Sequence, residues 1–321
     1  MNLERKYFLH PFNIIRNKFY AELFRSKYYK NLLQKDLKKA LGLQYKAGHK
    51  EKIDWENPQT LDAKIMWLEI MTDTTLWSQL TDKYEVRKYI EKKGYSNNLV
   101  KCYGVWDNVD EIDYKSLPNK FVIKCTHDSG STFIINDKLS TDLEKIKNEL
   151  RNKLKPMGTA TCEPHYLKIK PRIIVEELLE DTEQKKLSSS LIDYKIWCFN
   201  GTPYIAFVCY DRHRKADGNI GVTYDLFSLD TWEHKGDFLS KKDANYKKIP
   251  KPQCLQEMLQ IAKKLSEDFP LVRVDFYIIN NKPYFGELTF TSAGGLNYFY
   301  SELGQITMGK AINLSNVKRI R

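Results

Sequence analysis

Residues 271–277, Leu-Val-Arg-Val-Asp-Phe-Tyr, and residues 285–290, Phe-Gly-Glu-Leu-Thr-Phe, decide how this chain is read. In the first run Val272, Val274 and Phe276 alternate with Arg273, Asp275 and Tyr277, which makes one strand face apolar and the other charged. The second run alternates likewise and puts Glu287 and Thr289 on one face, so the two form a hairpin over 271–279 and 283–290. Register then decides the chemistry. If the loop is the pair Asn280-Asn281, Asp275 lies opposite Gly286 and Glu287 points to the other side of the sheet. An odd loop, such as residues 280–282, sets Asp275 opposite Glu287 and Arg273 opposite Thr289. Two facing carboxylates repel unless a cation lies between them. Mg²⁺ suits that place, because it takes one or two carboxylates and completes its shell with phosphate oxygens and water. The same alternation also fits a plain solvent-facing hairpin with ordinary charged residues.

Outward from the hairpin, the chain shows further strand and helix signals. Pro252 starts a helix whose apolar stripe is Leu255, Met258, Leu259, Ala262 and Leu265. Asn200-Gly201 joins two apolar runs and is a strong hairpin signal, since both residues tolerate positive φ. Residues 172–179, Arg-Ile-Ile-Val-Glu-Glu-Leu-Leu, read as a buried strand ending in carboxylates. Residues 121–126 and 132–135 are short β-rich runs followed by a polar helix from Asp142 to Leu154. Residues 57–93 read as helical, with Leu61, Ile65, Leu68 and Ile70 spaced by two to four.

A chain of 321 residues with 42% hydrophobic content buries a substantial core. Its net charge of +11 is uneven: residues 1–50 hold twelve Lys/Arg against three Asp/Glu, a balance of +9, which leaves +2 for the rest. A nucleic-acid-binding enzyme with a positive groove throughout is thereby disfavoured. The basic front is interleaved with Phe8, Phe12, Phe19, Tyr20, Phe24, Tyr28 and Tyr29. Two readings stand: an arm that lies on an anionic membrane surface, or helices packed on the body with solvated lysines. No apolar run is long enough to cross a bilayer and no signal-peptide pattern opens the chain, so the expected location is cytoplasmic, peripheral at the membrane's inner face if the arm binds there. Six scattered cysteines without a C-x-x-C pair point to free thiols, not to disulfides or zinc.

Lys124 interrupts the apolar run Phe121-Val-Ile-Lys-Cys, where an ammonium is costly to bury unless an anion pairs with it. The small-residue turn His127-Asp-Ser-Gly-Ser-Thr132 follows, and Ser129, Gly130 and Ser131 are candidates to close over phosphate oxygens as a flap. Serine-glycine turns between strands are also common without any ligand, and Lys83 alone reads as a helix-surface residue. No Walker A or G-x-G-x-x-G motif is present.

Taken together, Lys83 in Asp-Lys, Lys124 before the small-residue loop, Glu176-Glu177 closing a strand, and Asp275 followed by Glu287 resemble the ATP-grasp superfamily. The chain is similar in more detail to the TupA-like ATP-grasp family of bacterial surface-polymer synthesis, over about residues 55–310. Residues 57–67 (Asn-Pro-Gln-Thr-Leu-Asp-Ala-Lys-Ile-Met-Trp), 82–87 (Asp-Lys-Tyr-Glu-Val-Arg), 117–124 (Leu-Pro-Asn-Lys-Phe-Val-Ile-Lys), 198–201 (Cys-Phe-Asn-Gly) and the hairpin carry the likeness. The resemblance implies an α+β ATP-grasp fold in which two α+β subdomains with antiparallel sheets sandwich ATP, preceded by a helical N-terminal region. Residues 1–55 would be the basic aromatic arm, 56–170 the N-terminal region and small subdomain, and 171–321 the C-terminal subdomain with the metal site. It further implies that Lys83 and Lys124 contact ATP phosphates, that Glu176, Glu177 and Leu179 cup adenine, that Asp275 and Glu287 hold Mg²⁺, and that Arg273 faces the reacting acyl phosphate. Many ATP-grasp enzymes have Asn two residues after the metal Glu; here Thr289 takes that place.

The expected activity is an ATP- and Mg²⁺-dependent carboxylate–amine ligase working through an acyl phosphate, joining an amino acid or other amine to a carboxylated sugar in capsule or exopolysaccharide synthesis. Two rivals are a glycosyl- or phosphoryl-transferase-like enzyme on the same fold, and a non-catalytic nucleotide- or polysaccharide-binding pseudo-ligase.

Overall fold

A computed structural model describes residues 11–128, 130–155, 162–215, 220–240 and 249–320. Three helices lead, α1 (Pro11–Arg25), α2 (Lys27–Lys35) and α3 (Leu37–His49). Ser26 and Asp36 separate them by capping the next helix through side-chain oxygens that accept from Tyr29 N and Lys39 N. Tyr29, Ala40, Leu41 and Tyr45 are buried, so α2 and α3 pack on the body, while Phe19 and Tyr28 stand exposed. Among the described residues no helix is long and apolar enough to cross a membrane.

The helical stretch after Asn57 divides into α4 (Leu61–Met71), α5 (Thr75–Thr81) and α6 (Glu85–Lys92). The breaks have local causes: Asp73 accepts from Thr75 N at 2.9 Å, and Asp82 accepts from Tyr84 N at 2.8 Å and Glu85 N at 3.2 Å, so each aspartate offers the backbone a turn instead of another helical bond. Helix α4 is buried nearly all round. Its Asp62 lies wholly inside, accepting from Asn297 Nδ2 at 2.6 Å, Gln305 Nε2 at 2.8 Å and Asn297 N at 2.9 Å, which fastens α4 to the C-terminal part of the chain.

A small antiparallel sheet follows, formed by β1 (Cys102–Trp106), β2 (Phe121–Cys125) and β3 (Phe133–Ile135), with α7 (Leu143–Lys153) beside it and β4 (Ile173–Glu176) inserted in the order β1-β4-β2-β3. The strand expected over 172–179 is therefore only four residues long, and it belongs to the small sheet although it lies beyond residue 170. The short α8 (Gln184–Leu187) leads to a larger antiparallel sheet of β5 (Asp193–Phe199), β6 (Thr202–Arg214), β7 (Ile220–Ser228), β8 (Leu271–Ile279) and β9 (Lys282–Thr289), in the order β7-β6-β5-β8-β9. Asn200 (φ 51) and Gly201 (φ 73) form the β5–β6 turn. Helix α9 (Leu255–Ser266) packs Leu255, Met258, Ala262 and Leu265 on this sheet, and α10 (Glu302–Ala311) packs on α4. Helix α9 begins at Leu255, not at Pro252, which supplies the carbonyl for Leu255 N in a preceding turn. All six cysteines are free thiols.

The chain is pinned to the β8–β9 hairpin both where it enters the small-sheet segment from the helices and where it leaves for the large sheet. Asn98 Nδ2 donates to Pro283 O at 2.9 Å and Leu99 bridges Phe285, while Asp181 accepts from Asn280 N at 2.8 Å.

Candidate functional site

The hairpin resolves the register question in a way that neither expected loop anticipates. Its loop is the pair Asn280-Asn281, with φ of 50° and 60°, the left-handed conformations that a tight two-residue turn demands. Yet Asp275 pairs with Glu287 and Arg273 with Thr289. A bulge reconciles the two: Phe276 pairs with Phe285, Asp275 with Glu287, and Gly286 is the extra residue between them. Glycine suits the position, since a Cβ there would stand 3.1 Å from the Asp275 carbonyl oxygen. The alternation across Gly286 therefore does not need an odd loop.

The cation between the two acids is supplied by the protein. Arg273 Nε donates to Asp275 Oδ1 at 2.7 Å and its Nη2 to Asp275 Oδ2 at 2.7 Å, a two-pronged grip, and Nη2 also reaches Glu287 Oε1 at 3.3 Å and Thr289 Oγ1 at 3.1 Å. Thr289 donates in turn to Glu287 Oε1 at 3.0 Å. From the neighbouring strand β5, Lys195 Nζ donates to Asp275 Oδ2 at 2.5 Å. Burial alone would raise the Asp275 carboxyl, but the charges of Arg273 and Lys195 outweigh it and hold the group well below the usual carboxylate range. Glu287 differs: its side chain is 48% exposed and faces the cleft.

The small sheet presents the opposite wall. Lys124 on β2 finds the anion that its buried position requires in Glu176, 2.6 Å away, whose other oxygen meets Arg87 at 3.3 Å. The carboxylate expected to cup adenine is thus held by two cations, and Glu177 N donates to Lys101 O at 2.9 Å; exposed Glu177 and half-buried Leu179 lie in the irregular stretch after β4. Lys83, between α5 and α6, donates its ammonium to the Asp128 carbonyl and makes no ion pair within 4 Å among the described residues. Burial and then the charge of Lys124 push the Lys83 amine below its ordinary value, against the charges of Glu287 and Asp128. Two lysines from one wall and Glu287 from the other therefore share a single electrostatic space.

Of the expected flap, Gly130 (φ 103) has open space where a Cβ would go. Ser131 is buried and its hydroxyl is used within the loop, donating to Asp128 Oδ1 and accepting from Cys125 N at 3.0 Å. Ser129 lies outside the described residues. The sequence reading missed Lys195 and Ser292. Lys195 sits in Asp193-Tyr-Lys-Ile-Trp, where the alternation that exposed Asp275 was equally available. Ser292, which accepts from Arg273 Nη1 at 2.8 Å, follows the hairpin in a turn with no periodic signal.

No group of three or more His, Cys, Asp or Glu among the described residues is placed to hold a metal. The donor set fits Mg²⁺ carried in with a nucleotide: Glu287 and Asp275 offer hard oxygens, and the rest of the shell would come from phosphate and water. For Asp275 to serve, Lys195 has to give up its place on Oδ2, whereas Thr289 already uses its hydroxyl between Arg273 and Glu287.

Among solved structures, the chain is similar to an L-amino acid ligase from Bacillus licheniformis (11% identity, 87% of this chain and 62% of that one, TM-score 0.48) and to a D-alanine–D-alanine ligase from Bacillus anthracis (13%, 76% and 69%, 0.42). It is also similar to the ATP-grasp ligase PsnB complexed with a phosphomimetic variant of its minimal precursor, Mg and ADP (9%, 78% and 65%, 0.42). A search of curated proteins finds no match. The TupA-like ATPgrasp family matches residues 63–313, which takes in both sheets, Lys83, Lys124 and the whole carboxylate hairpin, and the chain belongs to that family.

Proposed function

We propose that this ATP-dependent ligase joins an amine, of amino-acid type, to a carboxylated sugar of a capsule or exopolysaccharide precursor by way of an acyl phosphate. The observation that carries the reading is the position of Lys83, a half-buried cation with no carboxylate partner among the described residues, across the cleft from Glu287 and beside Lys124. Such an arrangement is built for a polyanion. Magnesium, when bound, would neutralise and orient the triphosphate.

The chain's own residues do the rest. Lys83 and Lys124 hold phosphate oxygens, and Glu287 with Asp275 supplies the carboxylate oxygens for the metal. A substrate carboxylate oxygen attacks the γ-phosphorus as the bond to ADP breaks, and the amine nitrogen then attacks the acyl carbon as phosphate leaves. Asp275 fixes the Arg273 guanidinium from two sides. Ser292 takes one of the two N–H groups of Nη1, so the second remains for the oxyanion that forms on the acyl carbon. A fixed donor of this kind needs no reorganisation when charge develops, an effect worth about 3 kcal/mol elsewhere.

The reaction belongs on the cytoplasmic side, with the basic front of the chain against an anionic membrane that carries the sugar precursor. The experiment is a screen of uronic acids against amino acids, read as phosphate release and confirmed by product mass. Release that needs both partners supports the reading. ATP hydrolysis indifferent to both, or transfer of a sugar or phosphoryl group instead, overturns it.

A further inference from the structure

Next to the nucleotide cleft lies a second hollow. A cavity of about 430 Å³ opens between the N-terminal helices and the loop after β9, walled by Phe24, Tyr29 and Leu33 together with Glu163, Gly294 and Tyr298. Its loop wall is coupled to the catalytic face by consecutive side chains. Ser292 accepts from Arg273 Nη1 at 2.8 Å, and Thr291 Oγ1 donates to Glu163 Oε1 at 2.5 Å. A Cβ on Gly294 would stand 3.8 Å from Glu163 Oε2, so this carboxylate runs along the loop. Ala293 (φ 52), Gly294 (φ 63) and Gly295 (φ 77) are all left-handed, a conformation that is strained for an alanine and persists where the surroundings impose it. Tyr166 registers both places: burial, then the charges of Glu163 and Glu287, push its hydroxyl up, against the charge of Arg273.

A second carboxyl lies just beyond this cavity. Glu69 is wholly buried and lines an adjoining cavity of about 530 Å³, and Leu33 of α2 walls both hollows. Neither Glu69 oxygen has a hydrogen-bond partner among the described residues; His165 Nδ1 lies 3.9 Å from Oε1. Desolvation and then the charge of Glu163 hold the Glu69 carboxyl well above its ordinary value. Aromatic and aliphatic walls over an acidic floor select a cation with an apolar body, and exposed Lys30 at the mouth adds a positive charge for an anionic group.

We propose that this cavity binds the amine substrate of the ligase as an α-amino acid with an apolar or aromatic side chain, its ammonium on Glu163 and its carboxylate toward Lys30. That the bound amine is the reactant rests on the ligase reading; that it binds here does not. The N-terminal helices are then part of the substrate site and not only a front extension of the body.

The test is calorimetric titration of the full chain with L-phenylalanine, 2-phenylethylamine and 3-phenylpropionate, with ATP and Mg²⁺ titrated separately on the same samples. The first two ligands bind and the third, which lacks the ammonium, does not. E163Q, close in shape but neutral, weakens L-phenylalanine by about tenfold or more. L33W, which fills the cavity from α2, abolishes it. Both variants keep wild-type ATP affinity, which also shows that they fold. Binding of L-phenylalanine unchanged in both variants, equal binding of 3-phenylpropionate, or no amine binding by the wild type overturns the inference. Should ATP fail to bind the wild type while the amine does, the ligase reading falls and the amine site stands.

Discussion

The two hairpin acids occupy opposite environments, and their neutral variants therefore separate stability from chemistry. Asp275 is buried between Arg273 and Lys195. Asp275→Asn leaves both cations short of their counter-ion, and breaking a buried pair from one side costs about 3–5 kcal/mol. An unfolding entropy of about 2.1 cal/mol/K per residue over 321 residues amounts to about 0.7 kcal/mol/K, so Tm falls by about 4–7 °C. Glu287 is half-exposed and its contact with Arg273 is long, 3.3 Å. Glu287→Gln gives up a contact worth at most about 1 kcal/mol, and Tm moves by about 1–2 °C. Both variants lose ATP turnover. The assays are thermal unfolding by circular dichroism and phosphate release under the substrate conditions found in the screen. Equal destabilisation by the two substitutions, or a Glu287→Gln enzyme that still releases phosphate, refutes the assignment of distinct roles.

Gly286→Val presses a branched side chain on the Asp275 carbonyl and disturbs the bulge, which costs about 1–3 kcal/mol and lowers turnover with it; a wild-type melting curve would show the bulge to be dispensable. Lys83→Met weakens ATP by about tenfold to a hundredfold in calorimetry with little change in Tm, because no carboxylate among the described residues is stranded by it; unchanged affinity would remove it from the phosphate site. Burial holds His165 neutral, its pKa lowered from 6.5 to about 4. A depressed imidazole contributes stability that is present above the unfolded value and is lost as pH falls, so unfolding free energy drops by about 3 kcal/mol from this group between pH 6.5 and 4. Denaturant titrations of His165→Phe should show a shallower acid decline, and an unaltered slope contradicts the attribution. Replacing exposed Lys18, Arg25 and Lys27 with Glu should abolish co-sedimentation with anionic vesicles at low salt, and a triple variant that sediments like the wild type rules out the arm as a membrane contact.

Strands and hairpins were legible wherever one face is buried and the alternation is strict. The run around Asp275 and the Asn200-Gly201 turn are the plain cases, and the facing of Asp275 and Glu287 was one of two open registers. What escaped was non-local or irregular. A one-residue bulge at Gly286 changes parity without altering the pattern on either side, so loop length alone could not settle the register. Arg273 was considered only for its own cross-strand neighbour, whereas its long side chain doubles back along the strand to Asp275. Glu176 was assigned to the nucleotide without its partners Lys124 and Arg87, whose contacts span distances that no periodicity encodes. The cavity under the N-terminal helices joins α1 and α2 to residues more than a hundred positions away, beyond any local signal.

The pinning of Asn98, Leu99 and Asp181 to the β8–β9 hairpin has a mechanical meaning. A single ribbon thus carries the acids and also ties down the chain where it enters and leaves the small-sheet lobe, so Lys124 and Glu287 share an anchor. A substitution that loosens Asn98 or Asp181 is therefore expected to be felt on both walls of the cleft at once.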